Sequence, residues 1–406
     1  MGVSNGGIKI ASAAINVVGQ PDTASLLATA VREVLGAARV DLCVLFASPH
    51  FDGELESIAL ELEERLAPRA FIGCTGEAVI SGEFEYEGQP AVSIWAAHLP
   101  GAQLNAFHIA EDQLESLTDE EAMHDLLGAS PAHKPHFLLL GEPFSFGAGI
   151  QFLLERLWEE FPGRPAFGGM ASAAEEPNQN ALIFEGQIMR QGLVGVTLSG
   201  NVRVDPVVSQ GCRPIGRHFV ITKAEDNVVH QLGGRPPYMV VNDMLNECPA
   251  RDRELARTRG LLVGRVLDEH KGSFRHGDFL IRNPIGFDHK TGAMAVNEIV
   301  RPGQTIQFHV RDAQSAADDL RRLLAHERGH ATDGALLFSC NGRGTRLFTD
   351  RNHDALEVRA ATRAAPLAGF FCAGEIGMIA GRSFLHGHTA SIALFRDPQS
   401  VRDERG

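Results

Sequence analysis

The sequence lacks the marks of a nucleic-acid-binding, exported or membrane-spanning protein. Its formal net charge of −14 argues against nucleic acid or an anionic membrane as the main partner. No apolar run approaches the length of a membrane span, and no apolar core follows Lys9, as a secretory signal would require. We therefore expect a cytoplasmic protein that engages neither a membrane nor nucleic acid.

Aromatic residues other than phenylalanine are scarce, and the cysteines follow no known framework. The 23 Phe against two Tyr and two Trp favour packing over a platform for stacking bases. None of the six cysteines forms a CxxC pair, which excludes a zinc ribbon and a thioredoxin motif. We expect reduced thiols and no disulfide. HExxH and GxSxG are also missing, so we predict no cofactor, no metal and no catalytic residue.

The length of 406 residues favours two domains, because a single core rarely grows to that size. The clearest break is the cluster of turn-forming residues from Gly233 to Pro237. We place an N-terminal domain at 1–232, a C-terminal domain at 233–396 and a charged tail at 397–406.

Two nearly identical tetrapeptides in distant parts of the chain are its most informative feature. They are Cys74-Thr75-Gly76-Glu77 and Cys372-Ala373-Gly374-Glu375. Each closes a segment with the pattern of strand, helix and strand, and a third such segment runs from Phe137 to Ser172. The spacing from first strand to motif is about 30 residues each time, as in repeated supersecondary units. A helix that joins two strands favours parallel pairing of those strands.

Between these segments the pattern changes to short strands separated by tight turns, for example at 187–198 and 202–210. Such spacing predicts antiparallel pairing. The predicted fold class is therefore α/β, with mixed sheets flanked by helices. We expect two related, pseudo-symmetric domains built from repeated β-α-β units.

The predicted ligand-binding residues lie in loops at strand ends, where open α/β sheets bind their ligands. Glycines let backbone amides reach an anionic ligand, while Glu77 and Glu375 could hold an ammonium group. The full set is Cys74, Thr75, Gly76, Glu77, Cys340, Asn341, Arg343, Cys372, Gly374, Glu375, His386 and His388. One cleft is expected to contain Cys372, Glu375 and His388, with Cys340 and Arg343 nearby. The alternative is a tight corner whose glycines serve only the turn.

His386 and His388 would share one face if they lie in a strand. With Cys372 or Glu375 they could form a metal site or a Cys–His pair for nucleophilic catalysis. No third ligand at a recognisable spacing supports the metal, and no nucleophile motif supports a hydrolase. The sequence favours histidines that face a ligand or are hydrogen-bonded in the core.

Taken together, these segments resemble the FIST family, named for F-box and intracellular signal transduction proteins. Similarity to its N-terminal domain lies at 41–48, 71–82, 167–173 and 208–214. Similarity to its C-terminal domain lies at 237–245, 277–285, 300–312, 335–344 and 369–394. The last of these segments is the most specific, and it contains both the second tetrapeptide and the two histidines.

The resemblance implies a sensory module that binds small ligands such as amino acids. The two domains account for nearly all of the chain, so a signal would have to pass to a separate protein partner. Two other functions stay open. One is a Cys/His-dependent enzyme acting on a small metabolite, and the other is a protein-interaction scaffold without a ligand.

Overall fold

The computed structural model describes residues 7–398, and their contacts divide the chain into two compact units. The larger unit consists of the residues up to Val208, Arg321–Leu385 and the residues from Thr389 onward. The smaller unit consists of Ser209–Leu320 and His386–His388. The predicted charged tail lies outside the described residues from position 399 on. The predicted sequence boundary after residue 232 stays a prediction.

Strands outnumber helices in the described part of the chain, and most strands follow one another directly, without an intervening helix. The strands are β1 (Lys9–Ile15), β2 (Leu42–Ala47), β3 (Ala70–Thr75), β4 (Ala78–Ser81), β5 (Phe84–Glu87), β6 (Val92–His98), β7 (Ala102–Ile109), β8 (His136–Gly141), β9 (Ala166–Met170), β10 (Leu182–Phe184), β11 (Gln187–Met189), β12 (Leu193–Gly200), β13 (Arg203–Gln210), β14 (Cys212–Glu225), β15 (Val228–Leu232), β16 (Leu261–Val266), β17 (Phe279–Arg282), β18 (Pro284–Phe287), β19 (Met294–Val296), β20 (Thr305–Arg311), β21 (Gly334–Cys340), β22 (Leu367–Cys372), β23 (Gly374–Ile379), β24 (Arg382–His386) and β25 (Thr389–Arg396). The helices are α1 (Thr23–Leu35), α2 (Asp52–Leu66), α3 (Glu120–Leu127), α4 (Pro143–Phe146), α5 (Gly149–Glu160), α6 (Pro237–Glu247), α7 (Ala250–Arg259), α8 (Ala313–Ala325) and α9 (His353–Ala361).

Three six-stranded sheets in the larger unit share one plan. Their strand orders are β1-β6-β2-β3-β10-β11, β7-β12-β8-β9-β23-β24 and β13-β25-β21-β22-β4-β5. The two central strands of each sheet are parallel and are joined through a helical segment. An antiparallel strand flanks the first of them, and a strand of a two-stranded hairpin flanks the second. The predicted fold class, mixed sheets flanked by helices and built from β-α-β units, is confirmed.

Each β-α-β unit contributes its hairpin to the sheet of another unit. The hairpin β4–β5 follows β3 in sequence but pairs with β22 of the third unit. The hairpin β10–β11 follows β9 but pairs with β3 of the first unit. Strand β23 follows β22 and pairs with β9 of the second unit. The exchange closes a cycle, so the three units form one body.

A glycine occupies the same position in the second strand of all three units. At each one, an added Cβ atom would lie only 1.8–2.1 Å from the carbonyl oxygen of the facing leucine in the first strand. The facing pairs are Gly73 and Leu45, Gly168 and Leu139, and Gly369 and Leu337. Because no other residue fits this approach, the three glycines define the structural register of the repeat.

The inner faces of the three sheets pack into one core, and the helices cover the outer faces. Phe46, Phe338 and Phe370, from the first and third units, meet there with ring centroids 5.1–6.4 Å apart. Helix α2 covers the first sheet with the apolar face that its sequence predicts. The helical segment between β8 and β9 is divided into α4 and α5.

The smaller unit contains one antiparallel sheet with the order β17-β16-β20-β14-β15-β19-β18. A hairpin turn at 290–292 joins β18 and β19. Helix α6 packs Val240, Val241 and Met244 into the core of this unit. Among residues 7–398, no helix combines the length and the apolar character that crossing a bilayer requires.

Candidate functional site

The loops that end the three parallel strand pairs meet at one junction. The Ser172 hydroxyl donates a hydrogen bond to the carbonyl of Phe371 and accepts one from the amide of Glu77 at 2.8 Å. The amide of Ala373 donates to the carbonyl of Met170 at 3.1 Å. One residue of the second loop therefore connects the loops of the first and third units.

The two tetrapeptides lie near this junction but not in equivalent positions. Cys74 directly follows the register glycine Gly73, whereas Cys372 lies three residues after Gly369. Glu77 consequently stays in a half-buried corner, and Glu375 already belongs to the next strand, where it is fully buried. The β-α-β units repeat, but the tetrapeptides are offset by two residues within them.

The first tetrapeptide is held mostly by structural contacts. Cys74 is buried in the core, and burial raises the pKa of its thiol well above the usual value. Gly76 packs so closely on Phe370 that an added Cβ would lie 2.8 Å from that side chain. Glu77 forms an ion pair with Arg346, with one Nη1–Oε2 distance of 3.0 Å. Thr75 also lines an open cavity.

This cavity, which we call the loop cavity, has a volume of about 430 Å³ and lies at the carboxyl ends of the first unit's strands. Its lining residues are Pro49, Asp52, Thr75, Ser172, Ala173, Ala174, Asn178, Gln179, Asn180 and Arg190. Thr75, Ser172 and Asn180 form a buried polar floor. At the exposed rim, Arg190 and Asp52 form an ion pair at 2.9 Å. The cavity therefore offers both charges above a set of neutral polar groups.

Buried hydrogen bonds hold the floor of the loop cavity in place. The Glu142 carboxylate accepts from the Asn180 amide at 3.0 Å and from both the amide and the hydroxyl of Ser145. The Thr75 hydroxyl accepts from the amide of Ala181 at 2.9 Å. These contacts fix the loop that carries Ser172 and Asn180.

Sequence reasoning missed most of this cavity. It did not identify Asp52, Ser172, Asn180 or Arg190 as binding residues. A signal was available in loop length. The second unit connects its last strand to its hairpin through residues 171–181, whereas the other units use only 76–77 and 373. A long loop where related units have tight corners is typical of a binding segment.

Glu375 lies in a second polar region, fully buried at the third unit. Burial raises the pKa of its carboxyl group to about 8, although hydrogen bonds from Thr389 and Cys340 and the charge of Arg343 act in the opposite direction. The amide and hydroxyl of Thr389 both donate to Oε2, at 3.0 and 2.8 Å. Among residues 7–398, no nitrogen or oxygen donor hydrogen-bonds the other carboxyl oxygen of Glu375, Oε1. The group is therefore protonated and neutral near pH 7.

Two thiols accompany this carboxyl group. Cys340 and Cys372 are paired directly across the parallel strands β21 and β22. Cys372 is fully buried, and burial, followed by the charge of Glu375, raises the pKa of its thiol well above the usual value. Cys340 is partly exposed, and its sulfur accepts a hydrogen bond from the amide of Gly342 at 3.4 Å.

Arg343, predicted to supply charge for a ligand, is instead buried against Asp354. Its Nε and Nη2 atoms lie 2.6 and 2.8 Å from the two carboxylate oxygens. Burial opposes the charge of Asp354, but Arg343 and His353 outweigh it and hold the pKa of the carboxyl well below its usual range. Burial and the Asp354 charge raise the pKa of nearby Glu85 to about 8. Nε and Nη2 of Arg343 are therefore both hydrogen-bonded to Asp354, and the predicted role of Arg343 in ligand binding stays a prediction.

The remaining predicted residues are dispersed. The Asn341 amide donates to the carbonyl of Cys372 at 3.0 Å. His386 is buried in β24, and His388 hydrogen-bonds Asn283 at 3.0 Å. Both histidines belong to the smaller unit. Within residues 7–398, no three His, Cys, Asp or Glu side chains are grouped as metal ligands. The predicted cleft with Cys372, Glu375 and His388 stays a prediction.

Comparison with known proteins identifies relatives along nearly the whole chain. It is 39% identical to Rv0628c, an uncharacterized protein of Mycobacterium tuberculosis, over 377 residues that cover 90% of this chain and 94% of the relative. It is 38% identical to Mb0898c, an uncharacterized protein of Mycobacterium bovis, over 371 residues that cover 90% and 93%.

The chain is also similar to two solved cyanuric acid hydrolase structures, but their TM-scores are low. The A. caulinodans enzyme has a TM-score of 0.37 and 8% identity, covering 96% of this chain and 99% of that one. The second has a TM-score of 0.31 and 10% identity, covering 97% and 100%. Similarity at this level says nothing about activity.

Family models match the chain in two consecutive segments. The FIST N domain matches residues 41–235, and the FIST C domain matches residues 238–378. FIST domains are associated with sensory roles in signal transduction. The resemblance seen in the sequence is thereby confirmed, and the chain belongs to the FIST family.

Proposed function

We propose that this protein is a cytoplasmic sensor of a small zwitterionic metabolite, such as an amino acid, and that it signals through a separate protein partner. The observation that carries the proposal is the loop cavity, where Asp52 and Arg190 present opposite charges above a polar floor. Its volume of about 430 Å³ suits a small metabolite.

A zwitterion can replace the ion pair at the rim by matching each of its members. The ligand carboxylate would bind the Arg190 guanidinium, whose planar donors fit that group, and the ammonium would bind Asp52. Both side chains are more than a third exposed, so their mutual ion pair is worth only about 0–1 kcal/mol. Opening it therefore costs little compared with two new charge-assisted contacts.

The position of Ser172 supports a signalling role. The same residue lines the loop cavity and hydrogen-bonds the loops of the first and third units. A ligand that contacts Ser172 or its loop can thus favour one arrangement of the three-loop junction over another. Differential binding of this kind is what a sensor requires.

The proposal is tested by thermal denaturation of the full chain with a panel of amino acids. A ligand at about 100 times its dissociation constant stabilises the fold by about 2.7 kcal/mol, a clear shift in melting temperature. Arg190→Gln is expected to weaken binding about tenfold or more, because a hydrogen bond to a charged group contributes about 1.5–3 kcal/mol. Asp52→Asn should weaken it similarly.

Arg65→Gln is the matched control, because it removes a half-exposed arginine of α2 that pairs with Glu61. The Arg65→Gln variant should bind the stabilising amino acid with the same affinity as the wild-type protein. If no panel member stabilises the wild-type chain, or if Arg190→Gln binds the ligand unchanged, the loop cavity is not a zwitterion site. A protein-interaction scaffold would then be the better account.

A further inference from the structure

We propose that Cys340 and Cys372 form a peroxide-responsive thiol pair that closes to a disulfide, a function separate from the ligand site. Neither the family assignment nor the loop cavity requires it. The proposal rests on the geometry of the two paired strands and on the groups that surround each sulfur.

The backbone places the two residues within reach of a disulfide. Cys340 and Cys372 are directly opposite in the parallel register, so their side chains project from the same face of the sheet. Neighbouring strands lie about 4.8 Å apart, and disulfides join Cα atoms about 4.4–6.8 Å apart. The bridge therefore needs side-chain rotation rather than movement of the strands.

A hydrogen-bond donor and two cationic side chains lie beside the Cys340 sulfur. This sulfur accepts a hydrogen bond from the Gly342 amide. The guanidinium groups of Arg343 and Arg346, whose pKa values are raised, against the effect of burial, mainly by Asp354 and Glu77, also interact electrostatically with Cys340. The Cys340 thiol also hydrogen-bonds the adjacent Glu375, whose raised pKa of about 8 keeps that carboxyl group neutral near pH 7, so it adds no negative charge beside the sulfur. Cys340 is also partly exposed, so an oxidant can reach it.

Cys372 has the opposite character, which suits a resolving thiol. It is fully buried, and its pKa lies well above the usual value, so it stays protonated and does not react first. Because Cys372 lies beside Cys340, its sulfur is close enough to attack the Cys340 sulfur once that sulfur is oxidised. The different environments of the two thiols therefore imply that Cys340 reacts with the oxidant first and that Cys372 reacts second.

The chemistry balances with hydrogen peroxide as the oxidant. The Cys340 thiolate attacks one peroxide oxygen, the O–O bond breaks, and the products are a sulfenic acid and, after protonation, water. The Cys372 thiol then gives up its proton and attacks the sulfenic sulfur. An S–S bond forms, the S–O bond breaks, and a second water leaves. Two electrons pass from the two thiols to one peroxide.

Peptide mapping of the wild-type full chain tests the pair directly. After treatment with a few equivalents of hydrogen peroxide, free thiols should fall from six to four, and a reducing agent should restore six. A non-reducing digest should contain a peptide that joins Cys340 to Cys372. A bridge between other cysteines, oxidation of Cys340 without a bridge, or no loss of thiols would each overturn the proposal.

Three variants separate the roles of the two sulfurs. Cys340→Ser should keep all five remaining thiols, whereas Cys372→Ala should lose one and carry a sulfenic acid at Cys340 that dimedone traps. Cys248→Ser, at a buried cysteine of the smaller unit, is the control and should fall from five thiols to three. If Cys372→Ala fails to fold, the wild-type peptide map still decides the question.

Discussion

The first and third β-α-β units end in nearly the same four residues, yet their two corners have opposite chemistry. In the first, Glu77 is half-buried and pairs with Arg346 at the surface. In the third, Glu375 is fully buried and neutral near pH 7. An offset of two residues from the register glycine produces this difference. Similar sequence therefore does not assign similar function within this repeat, because the register decides which side chains are buried.

Substitution of the register glycines, which set the two corners apart, should have the largest effect on stability. Gly369→Ala would place a methyl group about 1.8 Å from the Leu337 carbonyl oxygen, and Gly73→Ala one about 2.1 Å from that of Leu45. We expect each change to destabilise the chain by more than about 4 kcal/mol or to abolish soluble expression. Urea denaturation measures the effect.

Gly286→Ala provides the matched strand control, since nothing lies within 4 Å of the added atom and its backbone is not left-handed. Its stability should stay within about 0.5 kcal/mol of the wild-type value. Equal stability of Gly369→Ala and Gly286→Ala would contradict the threefold register.

The two arginines of the third unit's loop should differ strongly. Arg343→Met leaves Asp354 buried without its main partner, which typically costs about 3–5 kcal/mol. Arg346→Met breaks the exposed pair with Glu77 and a hydrogen bond to the Asn341 carbonyl, and it should cost only about 1 kcal/mol. Chemical denaturation of both variants at pH 7 measures how much free energy of unfolding each one loses. Similar losses would show that Arg343 is not the structural group described here.

Glu375 should give the stability of the protein a measurable pH dependence. Its pKa of about 8 in the fold exceeds its ordinary value of 4.5, so between these pH values the folded chain keeps a proton that the unfolded chain releases. The free energy of unfolding therefore falls as pH rises, by about 1.4 kcal/mol per unit for this group. Its contribution is complete below about pH 4.5 and is lost as pH rises through 8.

Glu375→Gln resembles the protonated acid and should reduce this slope in urea titrations from pH 5 to 8. Part of the slope should persist, because the pKa of Glu85 is raised to about 8 as well. Glu77→Gln, at the other corner, should keep the wild-type slope and lose less than about 1 kcal/mol. Identical slopes for wild type and Glu375→Gln would refute the buried, neutral carboxyl group.

The sequence predicted the parts of the fold that have local periodic signals. The recurring strand–helix–strand pattern predicted the parallel pairs, and the short strands with tight turns predicted antiparallel pairing. The exchange of hairpins was not predictable, because local patterns do not say which distant strand edge a hairpin joins. The tetrapeptide match also hid the offset, since Gly76 and Gly374 align in sequence while the register depends on Gly73 and Gly369.

The candidate site was harder to predict than the fold. Thr75 was identified because it belongs to a repeated motif, whereas Arg190 and Asn180 belong to no repeat. Their roles depend on where loop 171–181 lies in three dimensions. Arg343 shows the opposite difficulty, because the sequence of a glycine-rich loop does not reveal that its charged residue is buried against Asp354. Its predicted part in ligand binding stays a prediction.

Calorimetric titration with chemically trimmed ligands tests the central claim most directly. The amino acid found to stabilise the wild-type chain would be compared with its amide, which lacks the carboxylate, and with its N-acetyl form, which lacks the ammonium group. If Arg190 and Asp52 each bind one charge, both trimmed forms should bind at least about tenfold more weakly than the intact zwitterion. Equal affinity of all three compounds would contradict recognition by the two charges of the loop cavity.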